Sequence, residues 1–154
     1  MRSIANGFLF LRIFVFAAAV PYLLRLKLSR VARAIEPGKD PWSADEDKVR
    51  KITAYVEKAI QRGKPLVRPG CLTRGLTRYY FLRRCGMDVA LCFGMGRMGK
   101  DFVGHCWLVK DGEPYLEPAE QDPRRQYTEM YRISRTSSQQ AGPSGATRLA
   151  GFSE

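Results

Sequence analysis

The chain has 154 residues, 45% hydrophobic and 27% charged, an ordinary globular balance at a length that suits one domain rather than two. Lys and Arg number 26 against 15 Asp and Glu, and the resulting +11 favours acidic partners (nucleic acid, anionic lipid or an acidic peptide) without bearing on fold. Four cysteines (Cys71, Cys85, Cys92 and Cys106) are too few for a disulfide scaffold, no Cys-x-x-Cys pair opens a zinc site, and a single histidine, His105, excludes multi-histidine metal centres.

Residues 8–24 form the most apolar stretch. A membrane span needs roughly 20 apolar residues, and Arg12 and Pro21 interrupt this run. Met1-Arg2 and Ala17-Ala18-Ala19 imitate a secretory signal, but Arg12 falls inside the would-be core. The segment is therefore expected to be a helix packed on the domain or lying at a membrane surface. Leu24, Leu28, Val31 and Ile35 continue with the spacing of one helix face, and Arg25, Lys27, Arg30 and Arg33 fill the remainder. A basic amphipathic helix of this kind suits an anionic membrane surface or an acidic partner; the plainer reading is a core helix with a solvated basic face. Residues 1–36 thus read as one apolar and basic helical segment.

Glu36-Pro37-Gly38-Lys39-Asp40-Pro41 is a turn cluster. Ser43 and Glu46 make a capping box for a helix whose buried stripe is Val49, Ile52, Val56 and Ala59-Ile60, and which Gly63 ends. A third helix runs from Cys71 to about Cys85, with Gly86 as its stop. Strand-like runs follow over 88–93, 102–109 and 113–117. Helices first and an antiparallel meander afterwards predict an α+β domain over 43–133. Asp122-Pro123 opens a tail that turns rich in Ser, Thr, Gln, Gly and Pro from Ser134, so 134–154 is expected to be disordered.

Gly94-Met95-Gly96-Arg97-Met98-Gly99 matches G-x-G-x-x-G. A dinucleotide site needs a helix to begin there, with its N-terminus facing the pyrophosphate. Lys100-Asp101-Phe102-Val103 reads instead as a second strand, so the glycines are expected to form a hairpin loop.

Cys71 stands at the first turn of a helix, where free N–H groups and the helix dipole favour thiolate. A small buried residue at a helix start is the plainer alternative. Cys85 lies at the electronegative end of the same helix, and Cys92 sits mid-strand as a core residue. His105 is also mid-strand, and alternation puts Val103, His105, Trp107 and Val109 on one face. If Lys110-Asp111-Gly112 is a three-residue loop, Trp107 faces Tyr115 and His105 faces Glu117, about 5 Å apart. A two-residue Asp-Gly turn would set Pro118 opposite His105 instead.

The run from Cys71 to Glu117 resembles the transglutaminase-like cysteine proteases that cleave the leader from lasso-peptide precursors. The matching pieces are Cys71-Leu72-Thr73-Arg74-Gly75-Leu76, Leu82-Arg83-Arg84-Cys85-Gly86-Met87, and Gly104-His105-Cys106-Trp107-Leu108 ahead of Asp111-Gly112. Glu117 stands where that family usually has Asp, and Gly75 and Cys106 stand where it commonly has Ala. The resemblance implies a transglutaminase-like or papain-like core with Cys71 as nucleophile, His105 as base and Glu117 as the orienting acid. It implies peptide-bond cleavage without cofactor or metal. Expected partners are the precursor peptide, a separate leader-binding protein and a cyclase; the chain has no spare region of domain size for leader binding and no phosphate-binding loop. No specific nucleic-acid partner is expected, and the location is expected to be cytoplasmic, with membrane association through residues 1–36. Two other readings keep the fold: a non-catalytic peptide-binding or membrane-associated adaptor, and an acyl transferase or amidase. Gly75 is expected to let its helix approach the histidine strand closely, and Arg74 to hold the loop before Cys71.

Overall fold

The computed structural model describes residues 2–25, 30, 35, 46–118, 120–134 and 138–139, and among these described residues three continuous helices precede one antiparallel sheet. The helices are α1 (Arg2–Leu23), α2 (Glu46–Arg62) and α3 (Cys71–Arg84). The strands are β1 (Ala90–Met98), β2 (Asp101–Lys110), β3 (Glu113–Tyr115), β4 (Thr128–Ile133) and β5 (Ser138–Gln139), in the spatial order β3-β2-β1-β4-β5. Every pairing is antiparallel, so the molecule has the α+β architecture that the order of its elements predicts.

The helices form where apolar periodicity demands a buried face. In α2, Ile52, Val56, Ala59 and Ile60 are buried and Val49 packs beside them, while Glu46, Asp47, Arg50, Lys51, Lys58 and Arg62 are exposed. Ser43 of the expected capping box and the turn cluster 36–41 lie outside the described residues. So does most of the expected basic helix over 24–35, of which Ile35 is buried. In α1, Ile13, Ala17 and Val20 are fully buried, and Phe16 stacks on Tyr80 of α3 at 4.4 Å between ring centroids. Helix α3 is closed by paired bonds from Gly86 N–H to the Arg83 carbonyl (3.0 Å) and from Met87 N–H to the Leu82 carbonyl (3.1 Å).

Three sequence expectations need correction. The glycine-rich segment is not a loop: β1 continues through Gly94 and Gly96 to Met98, and only Gly99 turns the hairpin into β2. A Cβ on Gly94 would come within 2.8 Å of the Trp107 ring, so glycine there admits the indole rather than a phosphate. With no helix after Gly99, the dinucleotide geometry is absent. Second, Asp111 (φ 52°) and Gly112 (φ 84°) form a two-residue turn, which pairs Lys110 with Glu113 and Leu108 with Tyr115. Two consecutive left-handed residues match the right-handed twist of the flanking strands, which the three-residue loop would do less directly. Third, the chain after Asp122 is not yet tail. It turns through Pro123–Arg125, capped by the Asp122 carboxylate, and then adds β4 against β1. Residues 135–137 and 140–154 lie outside the described residues.

Candidate active site

Cys71 is the first residue of α3. No side chain caps that end of the helix, so its first-turn N–H groups are left for the thiol's surroundings. Gly75, one turn on, faces β2. A Cβ at position 75 would sit 2.8 Å from Cys106 Sγ and 3.1 Å from Leu91 Cδ1. The missing side chain thus sets how closely α3 lies on the sheet, as expected, and brings Cys71 down to β2.

Strand β3 covers only Leu108–Lys110 of β2. Nearer its start the outer edge of β2 has no strand partner among the described residues, and Cys71 occupies that edge. Its sulfur accepts hydrogen bonds from the thiol and backbone N–H of Cys106 and interacts with the His105 side chain. A backbone N–H at Cys106 that points outward is one β1 does not use, as antiparallel alternation requires. Alternation of side chains holds as well. Cys106 and Leu108 join the main core below α3, while Trp107 and Val109 pack on the far face with Cys92. The His105 ring is stacked on Tyr127 at 5.0 Å and lies 6.1 Å from the Trp107 ring.

Glu117 reaches the same cleft by a route the expected register did not contain. In the observed register, continued pairing would place Pro118 opposite His105. The ladder stops at Tyr115, and Leu116 takes a left-handed conformation (φ 64°), which ends the pleat and turns the chain. Glu117 thereby lines a cleft of about 570 Å³ together with Cys71, His105, Gln121, Gln126 and Tyr127. Its carboxyl is pushed above the ordinary range by burial, against the pull of the His105, Arg78 and Arg74 charges. The expected neighbours meet, but through a broken strand rather than a cross-strand pair.

What holds that broken strand was not foreseen. Arg78, two turns beyond Cys71 on α3, is 8% exposed. Its Nη1 donates to the Leu116 carbonyl at 3.5 Å, and its Nη2 donates to Glu57 Oε1 of α2 at 2.9 Å. Arg74 does not hold the loop before Cys71 but clamps the same Glu57 with two bonds of 2.8 and 3.2 Å. One carboxylate thus anchors two arginines at successive turns of α3, and the second of them anchors the segment that carries Glu117. The i, i+3, i+7 spacing of Cys71, Arg74 and Arg78 could have signalled a shared face; Glu57 and Tyr127 carry no comparable signal.

The site's electrostatics separate its two thiols. Cys71 is pulled down to about 5, chiefly by the hydrogen bond from the Cys106 thiol. The Cys106 backbone N–H, the bond with His105 and the charge of His105 act the same way, and burial opposes them. Cys106 moves upward, first because it donates that shared bond and second because it is buried. Two thiols joined by one hydrogen bond ionise one at a time. The half-exposed one at a helix start, beside an imidazole, is the one that carries the charge. Among the described residues, no group of three His, Cys, Asp or Glu side chains is disposed to hold a metal ion.

A helix-borne thiol, a strand-borne imidazole and a nearby carboxyl in one cleft are the components of nucleophilic acyl-transfer sites. The family model for the transglutaminase-like superfamily matches residues 10–132, and the chain belongs to that superfamily, whose members are commonly cysteine-dependent enzymes and include cysteine peptidases. No curated protein and no solved structure matches the chain.

Proposed function

We propose that this chain is a cysteine peptidase that removes the leader from a ribosomally made, lasso-type precursor peptide. The observation that carries the reading is the contact of the Cys71 thiol with His105 at the start of α3, with Glu117 in the same cleft. The Cys71 sulfur attacks a peptide carbonyl, and first-turn N–H groups of α3 receive the oxyanion. His105 delivers a proton to the leaving amine and then draws one from the water that opens the thioester. Glu117 orients the ring. The precursor-specific part rests on the motif resemblance, which also brings in a separate leader-binding protein and a cyclase as partners.

The test is incubation of the chain and a leader-binding partner with a lasso-type precursor, read by intact mass. One internal cleavage, lost in Cys71→Ala, is the expected result. Peptide that binds but stays intact supports the adaptor, and incorporation of an added amine supports the acyl transferase.

A second feature bears on location. Residues Ala5–Leu23 of α1 are long and apolar enough to cross a membrane, with a mean hydropathy of 1.6 and 17% of that window buried. Phe8, Leu11, Val15 and Tyr22 are more than half exposed. At ~100° per residue they share an arc of about 60° opposite Ile13, Ala17 and Val20. We infer that α1 lies in the plane of an anionic, cytoplasmic membrane surface, because its inner stripe is already committed to the domain and its flanking Arg12 and Arg25 favour acidic headgroups. Co-sedimentation with phosphatidylglycerol vesicles should be strong, salt-sensitive and lost in the double variant Leu11→Glu, Val15→Glu. Binding that survives those changes contradicts it.

A further inference from the structure

The peptidase reading uses Cys106 only as a donor to Cys71, although its side chain is itself a nucleophile. Cys106 is 3% exposed, belongs to the main core, and contacts Cys71 through its thiol as well as its N–H. The backbone N–H would be present whatever residue stood at 106. The thiol is accommodated at a specific place: a Cβ on residue 75 would sit 2.8 Å from its sulfur, so Gly75 provides the room that Cys106 fills. Position 75 and position 106 are therefore one packing decision, and its outcome is a second sulfur beside the nucleophile.

We propose that Cys71 and Cys106 form a redox modification site, in which a peroxide oxidises Cys71 and a reversible disulfide to Cys106 then seals it. The proposal rests on Cys71 being the reactive thiol, as in the reading above, and not on which peptide is cut. The Cys71 thiolate attacks one oxygen of the peroxide, the O–O bond breaks, sulfur loses two electrons, and hydroxide or alkoxide leaves with the other oxygen. The product is the Cys71 sulfenic acid. The Cys106 sulfur then attacks the Cys71 sulfur, and the sulfenic oxygen departs as water, taking the Cys106 proton.

Geometry sets the order of events. Both cysteines line the cleft, but Cys106 is only 3% exposed and Cys71 is the less buried of the two, so the oxidant meets Cys71 first. The main reason Cys106 resists ionisation is the bond it gives to the Cys71 thiol, and converting Cys71 to a neutral sulfenic acid removes it. Oxidation of Cys71 thus lifts the larger of the two restraints on the resolving thiol and leaves burial as the other. Cys106 Sγ lies against Gly75, one turn from Cys71, and both cysteines line one cleft; for the bond to form, the sulfurs must close to about 2.0 Å. Cys85 and Cys92 are buried elsewhere with neighbours of their own, which leaves Cys106 as the thiol in reach. A disulfide at this place occupies the nucleophile and protects it from irreversible sulfinic acid.

Tryptic digestion separates the candidates, because Cys71 falls in the peptide from Gly63 to Arg74, Cys106 in that from Asp101 to Lys110, and Cys85 and Cys92 share a third. The full chain is treated with hydrogen peroxide, alkylated with iodoacetamide and digested without reductant. The expected product is a single cross-link between the first two peptides, with Cys71 alkylation lost and then recovered after dithiothreitol. In Cys106→Ser, which keeps a donor beside Cys71 but cannot form a disulfide, the same treatment should drive Cys71 to sulfinic acid, and dithiothreitol should recover none of its alkylation. Sulfinic acid on Cys71 of the unaltered chain with Cys106 still free, or a cross-link to Cys85 or Cys92, overturns the proposal and leaves the peptidase reading standing. A Cys71 that resists iodoacetamide before any peroxide is added removes both.

Discussion

Cys71 and Cys92 both lie beside ionisable side chains on this sheet, one at the outer edge of β2 and the other on the far face of β1. Cys92 is fully buried with Trp107 and Val109, and its charged neighbours, Glu129 and Arg132, hold each other through two bonds of 2.7 Å. Burial and the adjacent Glu129 carboxylate push it up to about 12. At Cys71 the donors (a thiol, an N–H and an imidazole) prevail over burial, and it goes down to about 5. Proximity to charge does not make a thiolate. At Cys92 burial and the Glu129 carboxylate outweigh the bond from Arg132, whereas at Cys71 the donors outweigh burial.

The largest expected effect comes from removing the favoured thiol. Cys71→Ala should lower peptide processing by at least about 10³-fold and His105→Ala nearly as much, since such groups act as a unit; Cys92→Ala should leave turnover within about twofold. Equal losses at Cys71 and Cys92 would erase the contrast. Glu117→Gln should lose about 10²-fold less than Cys71→Ala, because nucleophile and base remain and only orientation is weakened. Full activity in Glu117→Gln would detach that carboxyl from the site.

The contrast also carries a pH signature. A folded value of about 5 for Cys71 against an ordinary thiol value of 9.0 means that its ionisation stabilises the fold fully above pH 9 and that this contribution is lost as pH falls towards 5. Urea melts should therefore show the unaltered chain gaining stability over Cys71→Ala as pH rises from 5 to 9. For Cys92 the shift is upward, so its contribution is intact below pH 9 and lost between there and about 12.

Much of this was legible in the chain. The stripe of α2, the helix from Cys71 and the alternation around His105 are local patterns, and local physics fixes them. Cys71 and His105 were legible as candidates for the same reason: a cysteine at a helix start and a lone histidine on a strand stand out by type, whereas Cys106 was read only as a small residue. The delivery of Glu117 was not, because it depends on a left-handed Leu116 held by the Arg78–Glu57 network, which joins residues distant in sequence. Nor was β4, whose Thr128–Ile133 run is too polar to announce a strand and forms by pairing with β1. The glycines of β1 misled, since close approach of Trp107 asks for the same residue as a turn.

Two smaller effects test the scaffold behind the contrast. Arg78→Met should cost about 2 kcal/mol of stability, the loss of charged hydrogen bonds to Glu57 and Leu116. Processing should fall about tenfold, while the pH midpoint for alkylation of Cys71 stays put, since Arg78 acts on Glu117. Gly75→Ala should cost roughly 1–3 kcal/mol by overpacking against Cys106 Sγ. Adding Cys106→Ala should recover most of it, and additive losses in the double variant would show that the two positions do not share space.

The central claim, that this fold singles out one thiolate, is tested most directly by iodoacetamide labelling of all four cysteines across pH, mapped by peptide. Cys71 should label first, with a midpoint near 5 that moves upward in His105→Ala, while Cys85, Cys92 and Cys106 stay unlabelled in the folded chain. A Cys71 midpoint at the ordinary thiol value of 9.0, or earlier labelling of any other cysteine, would contradict it.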